Sequence, residues 1–89
     1  MARVVFTSHI ARHVSCAESR VSAATLGAAL DQVFKTQPRV RDYVLDEQGE
    51  LRKHVVVFID GRRVRDRRRL TDPIDDASEI YVLQALTGG

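Results

Sequence analysis

The chain has 89 residues, of which 44% are hydrophobic and 29% are charged, and its formal net charge is +2 at pH 7. This length suits one domain with its own core, and the composition is too apolar for a disordered polypeptide. The single cysteine, Cys16, excludes an internal disulfide, and no apolar run is long enough to span a bilayer. These features predict a cytoplasmic, non-membrane protein.

The N-terminal part of the chain predicts strands. Residues Arg3 to Ser8 are apolar and β-branched, which indicates a first strand. A second strand could begin at Arg12-His13-Val14 and return beside the first. The stretch from Cys16 to Ala24 is rich in small and polar residues and is predicted to be a loop, with a short strand near Arg20-Val21.

The main helix is predicted from Thr25 to Gln37. Its apolar residues recur at i, i+3, i+4, i+7 and i+8, which forms one stripe along a helix. Thr25 is a suitable N-cap, and Pro38 ends the helix. Gly27 and Ala28 would let the start of this helix pack closely on a sheet. A short helical turn is expected between Arg39 and Leu45.

The second half of the chain predicts a hairpin and a final strand. The strongest strand signal is Val55–Ile59, and the Asp60-Gly61 pair after it favours a tight hairpin into Arg62-Arg63-Val64. A charged excursion follows from Arg65 to Pro73. Leu70 and Ile74 are its expected core anchors. A turn at Asp75–Ser78 then leads into the last strand, Glu79–Ala85.

This order of elements predicts an α+β domain over residues 1–85. One main helix would pack on one face of a mixed sheet with four to five strands. Residues 86–89 would form a flexible tail that contains Gly88 and Gly89. Two glycines after an apolar strand add nothing to a core, because glycine buries no side chain and has the largest backbone entropy. A frayed terminus explains them as readily as a functional tail.

Residue alternation in the two central strands predicts a second apolar surface. If Val55, Val57, Ile59, Ile80 and Val82 face the helix, then the opposite face exposes four apolar side chains to solvent: Val56, Phe58, Tyr81 and Leu83. Such a patch on a small domain favours a protein interface. The alternative is that the Arg65–Ile74 excursion covers it.

The chain offers little chemistry of its own. His9 and His13 have no Glu or Cys partner that would complete a metal site, so no metal is expected. Cys16 has no CxxC partner, and closeness to His13 in a loop does not supply the base that a reactive thiol needs, so its role stays open. The run Arg62–Arg69 suits a nucleic-acid patch, a solvated loop or a docking surface for an acidic partner. It has no interleaved aromatic residues, which disfavours nucleic acid.

Several segments together resemble the ubiquitin-like sulfur-carrier family, which includes the small subunit of molybdopterin synthase, the thiamine-type carrier and a carrier of cysteine biosynthesis. The matching segments are Val4-Val5-Phe6, Thr25 to Leu30, Val55 to Arg62, Glu79 to Leu83, and Ala85-Leu86-Thr87-Gly88-Gly89. The length is closer to the molybdopterin and cysteine-pathway carriers than to the thiamine carriers. Two positions depart from the family pattern: the usual Gly-Asp turn is Asp75-Asp76-Ala77-Ser78, and a frequent Asn is Asp60.

The resemblance implies a ubiquitin-like β-grasp fold and a carrier that is not itself an enzyme. A ubiquitin-activating-like adenylyltransferase would use ATP to adenylate the Gly89 carboxylate, and a sulfur donor would convert it to a thiocarboxylate for a sulfur-accepting synthase. Leu86, Thr87 and Gly88 would line the partner's tunnel, and Val56, Phe58, Tyr81 and Leu83 would form the docking patch. The carrier itself would bind no cofactor.

A metalloprotease is a further candidate partner. The alternatives are a protein modifier that forms isopeptide bonds through Gly89 and, more remotely, an arginine-rich nucleic-acid-binding module. The metabolite that receives the sulfur is left open.

Overall fold

The structure, a computed structural model, describes residues 1–7 and 18–84. Within these residues the strands form one mixed sheet in the order β2-β1-β5-β3-β4. Strands β1 and β5 pair in parallel at its centre, and the other neighbours are antiparallel. The elements are β1 (Ala2–Phe6), β2 (Ser19–Val21), α1 (Leu26–Thr36), α2 (Pro38–Val44), β3 (Val55–Ile59), β4 (Arg62–Arg63) and β5 (Glu79–Gln84).

Helix α1 begins and ends where its sequence predicts. The Thr25 side chain accepts a hydrogen bond from the Ala28 N–H at 3.2 Å, which caps the first turn. The Gln37 N–H donates to the Val33 carbonyl at the other end, and Pro38 starts α2. Helix α2 has seven residues, so it is longer than the single turn expected. Pro38 suits a first helical position, and tertiary burial of the α2 side chains stabilises so short a helix.

The core lies between the sheet and the two helices. Val55, Val57, Ile80 and Val82 are fully buried, and Ile59 packs against the same core, so the prediction that these five residues face the helix is confirmed. The apolar stripe of α1 covers them. Its buried members are Leu26, Ala29, Leu30, Val33 and Phe34.

The Asp60-Gly61 hairpin has the predicted geometry. Both residues have positive φ, 51° for Asp60 and 81° for Gly61, as a two-residue type I′ turn requires. The Asp60 carboxylate also accepts a hydrogen bond from the Glu79 N–H at 2.9 Å. The hairpin is thereby joined to the start of β5.

The excursion between β4 and β5 is organised by two carboxylates. Asp66 accepts hydrogen bonds from the Arg68, Arg69 and Thr71 N–H groups and from the Thr71 hydroxyl. Asp72 accepts from the N–H groups that open the loop, at Arg65 and Asp66. The loop therefore keeps a defined shape although it carries few apolar residues.

This loop packs on the start of α1. The expected anchors are confirmed, since Leu70 is buried and Ile74 packs against the core. The Leu70 carbonyl accepts from the Gly27 N–H at 2.9 Å, and a Cβ at Gly27 would lie only 3.2 Å from that oxygen. Gly27 thus permits close approach of the loop. The prediction that Gly27 and Ala28 pack on the sheet was wrong, and Ala28 is exposed.

The sheet order, with α1 across one face, is that of a β-grasp, as expected. The predicted strand at Arg12-His13-Val14 and the last expected strand residue, Ala85, lie outside the described residues, as do residues 86–89. The predicted division at residue 85 therefore stays a prediction.

Candidate functional site

The face of the sheet opposite α1 carries an apolar patch. Strand pairing places Phe58 beside Tyr81, and Tyr81 beside Val5 of β1. Leu83 follows two residues after Tyr81 on β5 and shares its face. Val5, Phe58, Tyr81 and Leu83 are called here the outer-face patch.

The members of the predicted docking surface differ in exposure. Tyr81 is 36% exposed, while Phe58 and Leu83 are half-buried. Val56, which pairs with Leu83, is only 7% exposed although it does not belong to the main core cluster. The expectation that all four side chains face solvent is therefore wrong for Val56, and its role in binding stays a prediction.

The loop between β4 and β5 does not cover the outer-face patch. Leu70 and Ile74 pack into the core on the helix side, and the loop backbone accepts hydrogen bonds from the N-terminal turn of α1. The Arg67 guanidinium donates to the Arg52 and Val55 carbonyls, both at 2.7 Å, which attaches the loop to the start of β3. The contacts of the loop thus leave the outer-face patch accessible.

A polar network borders the patch. Arg3 donates one hydrogen bond to the Tyr81 hydroxyl at 2.9 Å and another to the Glu79 carboxylate at 2.8 Å. The hydrogen bond to the Tyr81 hydroxyl is the main cause of the raised Arg3 pKa, and the charges of Glu18 and Glu79 act in the same direction. Arg3 and Val5 were not among the site residues predicted from the sequence. Their alternation on β1 signals a shared face, but only the parallel pairing with β5 places them beside Tyr81.

The end of β5 is held by side chains from the helix side. The Tyr43 hydroxyl of α2 donates to the Gln84 amide oxygen. The Tyr43 ring also meets the His54 ring edge-on, with 5.9 Å between centroids. These contacts fix Gln84, the last described strand residue before residues 85–89, which are called here the diglycine segment. Leu86, Thr87, Gly88 and Gly89 lie outside the described residues, so their roles stay predictions.

The arginine run divides into different environments. Arg62, Arg63 and Arg65 are exposed, whereas Arg67 is half-buried and hydrogen-bonded to the backbone. Arg68 approaches Glu50 at 4.0 Å. The run is therefore neither uniform nor wholly solvated.

The described part of the chain offers neither a cluster of metal ligands nor a membrane-spanning helix. Among residues 1–7 and 18–84, no three His, Cys, Asp or Glu side chains cluster in a way that could hold a metal ion. Neither helix described in these ranges has the length and apolar character of a membrane span.

Comparison with known proteins places the fold and the family. The structure of SAMP1 from Haloferax volcanii superimposes with a TM-score of 0.81 at 23% identity, covering 99% of this chain and 98% of that chain. CysO from Mycobacterium tuberculosis gives a TM-score of 0.81 at 20% identity over 97% and 100% of the two chains. The Amycolatopsis orientalis BexX/CysO complex gives 0.83 at 19% identity over 100% of both.

These similarities show that the chain has a β-grasp fold. The sequence model of the ThiS family matches residues 11–89, and the chain belongs to that family. Among curated proteins, no sequence matches significantly.

Proposed function

We propose that the protein is a sulfur carrier that holds sulfur as a thiocarboxylate on Gly89. The supporting observation is that β5 both carries Tyr81 and Leu83 of the outer-face patch and leads directly to the diglycine segment. The match to the ThiS family extends through Gly88 and Gly89. One strand therefore links a docking surface to the group that would react.

Geometry sets the reach of this segment. Gly89 lies five residues beyond Gln84, and five extended residues span at most about 18 Å. A partner that binds the outer-face patch could therefore receive the Gly89 carboxylate in an active site within that distance. Binding of the patch would offset the entropy lost when the segment is ordered.

The chemistry explains the residue types. A carboxylate is a weak electrophile, so an ATP-dependent adenylyltransferase first joins AMP to the Gly89 carboxylate with release of pyrophosphate. Hydrosulfide from the sulfur donor then attacks the acyl carbon, AMP leaves with one of the former carboxylate oxygens, and loss of the S–H proton gives the thiocarboxylate. Gly88 and Gly89 fit a narrow tunnel because they have no Cβ. A synthase would then take the sulfur, and the carrier itself supplies no catalytic side chain.

Mass spectrometry of the intact protein and of its C-terminal peptide tests the proposal. The protein is incubated with an adenylyltransferase that activates ThiS-family carriers, ATP and a sulfide source, and the C-terminal peptide should show exchange of one oxygen for sulfur. Gly88→Val should abolish the exchange because its side chain obstructs the tunnel. Ala77→Val, at an exposed position in the turn before β5, is the matched control and should react normally. No exchange in the unchanged protein, or normal exchange in Gly88→Val, would contradict the proposal.

A protein modifier is the second candidate. SAMP1, a small archaeal modifier protein, is among the structures that share this fold. In this case the activated Gly89 carbonyl would form an isopeptide bond with a lysine of another protein. Covalent adducts in cell extracts, without sulfur exchange at the C-terminal peptide, would favour the modifier.

A further inference from the structure

A groove lies between the β3–β4 hairpin and the loop that follows it. Its volume is about 500 Å³, and Ile59 and Pro73 supply its apolar lining. Arg62, Arg63 and Arg65 line it as well, and all three side chains are exposed. We call this feature the arginine groove.

The charges of the arginine groove are not balanced internally. Its two carboxylates are already engaged: Asp60 accepts from the Glu79 N–H, and both Asp72 oxygens accept from backbone N–H groups. By contrast, no ion pair joins Arg62, Arg63 or Arg65 to another residue within the described ranges. Three guanidinium groups are therefore available to a ligand.

The open edge of β4 adds backbone groups beside these arginines. The Val64 N–H donates to the Val57 carbonyl, and antiparallel pairs alternate between bonded and non-bonded. The intervening Phe58–Arg63 pair is thus the non-bonded one, so the Arg63 N–H and carbonyl point away from β3. An extended peptide can bind to such groups by adding a strand.

We infer that the arginine groove binds an acidic, extended segment of a partner protein. Carboxylates of the segment pair with the three guanidinium groups, while its backbone pairs with Arg63 and its apolar side chains contact Ile59 and Pro73. A nucleic acid fits less well. The lining has no aromatic ring on which a base could stack, whereas the free backbone groups of Arg63 suit a peptide.

The groove is separate from the site of the proposed function. Asp60 bonds to Glu79 at the start of β5, whereas the diglycine segment follows its end at Gln84. This strand separates them by about 17 Å at the usual rise per residue. A partner can therefore hold the groove while Gly89 reacts elsewhere. The inference does not depend on thiocarboxylate chemistry.

NMR titration tests the inference with a synthetic peptide of alternating glutamate and valine. Amide shifts should concentrate at residues 62–65, including Arg63. Replacing the three groove arginines with Gln should weaken binding about tenfold, because each exposed ion pair contributes modestly. In the control variant, three exposed cations near the α1–α2 junction are replaced with Gln. These cations are Lys35, Arg39 and Arg41. This variant loses the same charge and should bind within about twofold of the unchanged protein.

Three outcomes would overturn the inference. Equal losses in the two variants would show attraction to net charge only. Shifts centred away from residues 62–65 would place the peptide elsewhere. Tighter binding of a single-stranded oligonucleotide at the same residues, with steep salt dependence, would assign the groove to nucleic acid. Sulfur exchange at Gly89 is measured separately, so failure of either proposal can be recognised.

Discussion

Asp66 shows how one carboxylate shapes a charged loop. It accepts four hydrogen bonds, from three backbone N–H groups and the Thr71 hydroxyl. The Thr71 hydroxyl contributes most to lowering the Asp66 pKa from 3.8 to about 2, and the N–H groups act in the same direction. The sequence showed only a run of arginines and aspartates here. The sequence does not show which carboxylate accepts these bonds, because that depends on how the loop folds back on itself.

Asp66→Asn is expected to lower thermal stability at neutral pH, because the amide presents a donor where the Thr71 N–H and hydroxyl need an acceptor. The folded pKa lies below the unfolded value, so the stabilisation is present above about pH 4 and disappears as pH falls toward 2. Melting curves of both proteins from pH 7 to pH 2 check this. The difference in Tm should shrink over that window.

Asp31→Asn is the matched control, because Asp31 is an exposed carboxylate on α1. Its effect on Tm should be small throughout. A difference between Asp66→Asn and the unchanged protein that stays constant down to pH 2 would contradict the assigned role.

At the scale of elements, local sequence predicted those that follow one clear pattern. The apolar stripe and Thr25 cap of α1, the β-branched run of β3 and the Asp60-Gly61 turn are all found. Helix α2 was predicted too short, because its stability comes from burying Val40 and Val44. The predicted packing partner of Gly27 was also wrong, because the loop around Leu70, and not the sheet, packs against Gly27.

Gly61→Ala is expected to destabilise the protein by about 1 kcal/mol, since alanine must adopt the positive φ of the turn. Gly61→Asn should lose less, because asparagine tolerates this conformation. Urea unfolding of the three proteins measures the free energies. Equal losses for alanine and asparagine would show that backbone conformation is not the cause.

At the scale of the molecule, β5 connects the core, the outer-face patch, the arginine groove and the diglycine segment. It lies between β1 and β3, it buries Ile80 and Val82, and its other face presents Tyr81 and Leu83. The arginine groove lies near its start and the diglycine segment follows its end. A single central strand therefore supports the core and positions two separate surfaces.

Tyr81→Glu is expected to raise the KM of the activating enzyme for this protein about tenfold, with little change in kcat, because it places a charge in the outer-face patch, which is the proposed docking surface. Steady-state kinetics of pyrophosphate release measures both constants. Ala28→Glu adds the same charge at an exposed position of α1, where it suits the Thr25 cap, and should leave KM unchanged. A kcat loss without a KM change would place Tyr81 outside the docking surface.

The sequence by itself determined the α+β class, the main helix, the central strands, the hairpin and the resemblance that family membership confirms. These depend on periodicity, turn chemistry and capping, which act over a few neighbouring residues. Only the tertiary structure showed that Arg3 and Val5 border Tyr81, that Val56 is buried, and that Arg62, Arg63 and Arg65 line one groove. Strand order and loop closure decide these features, because they bring together residues that are far apart in the chain.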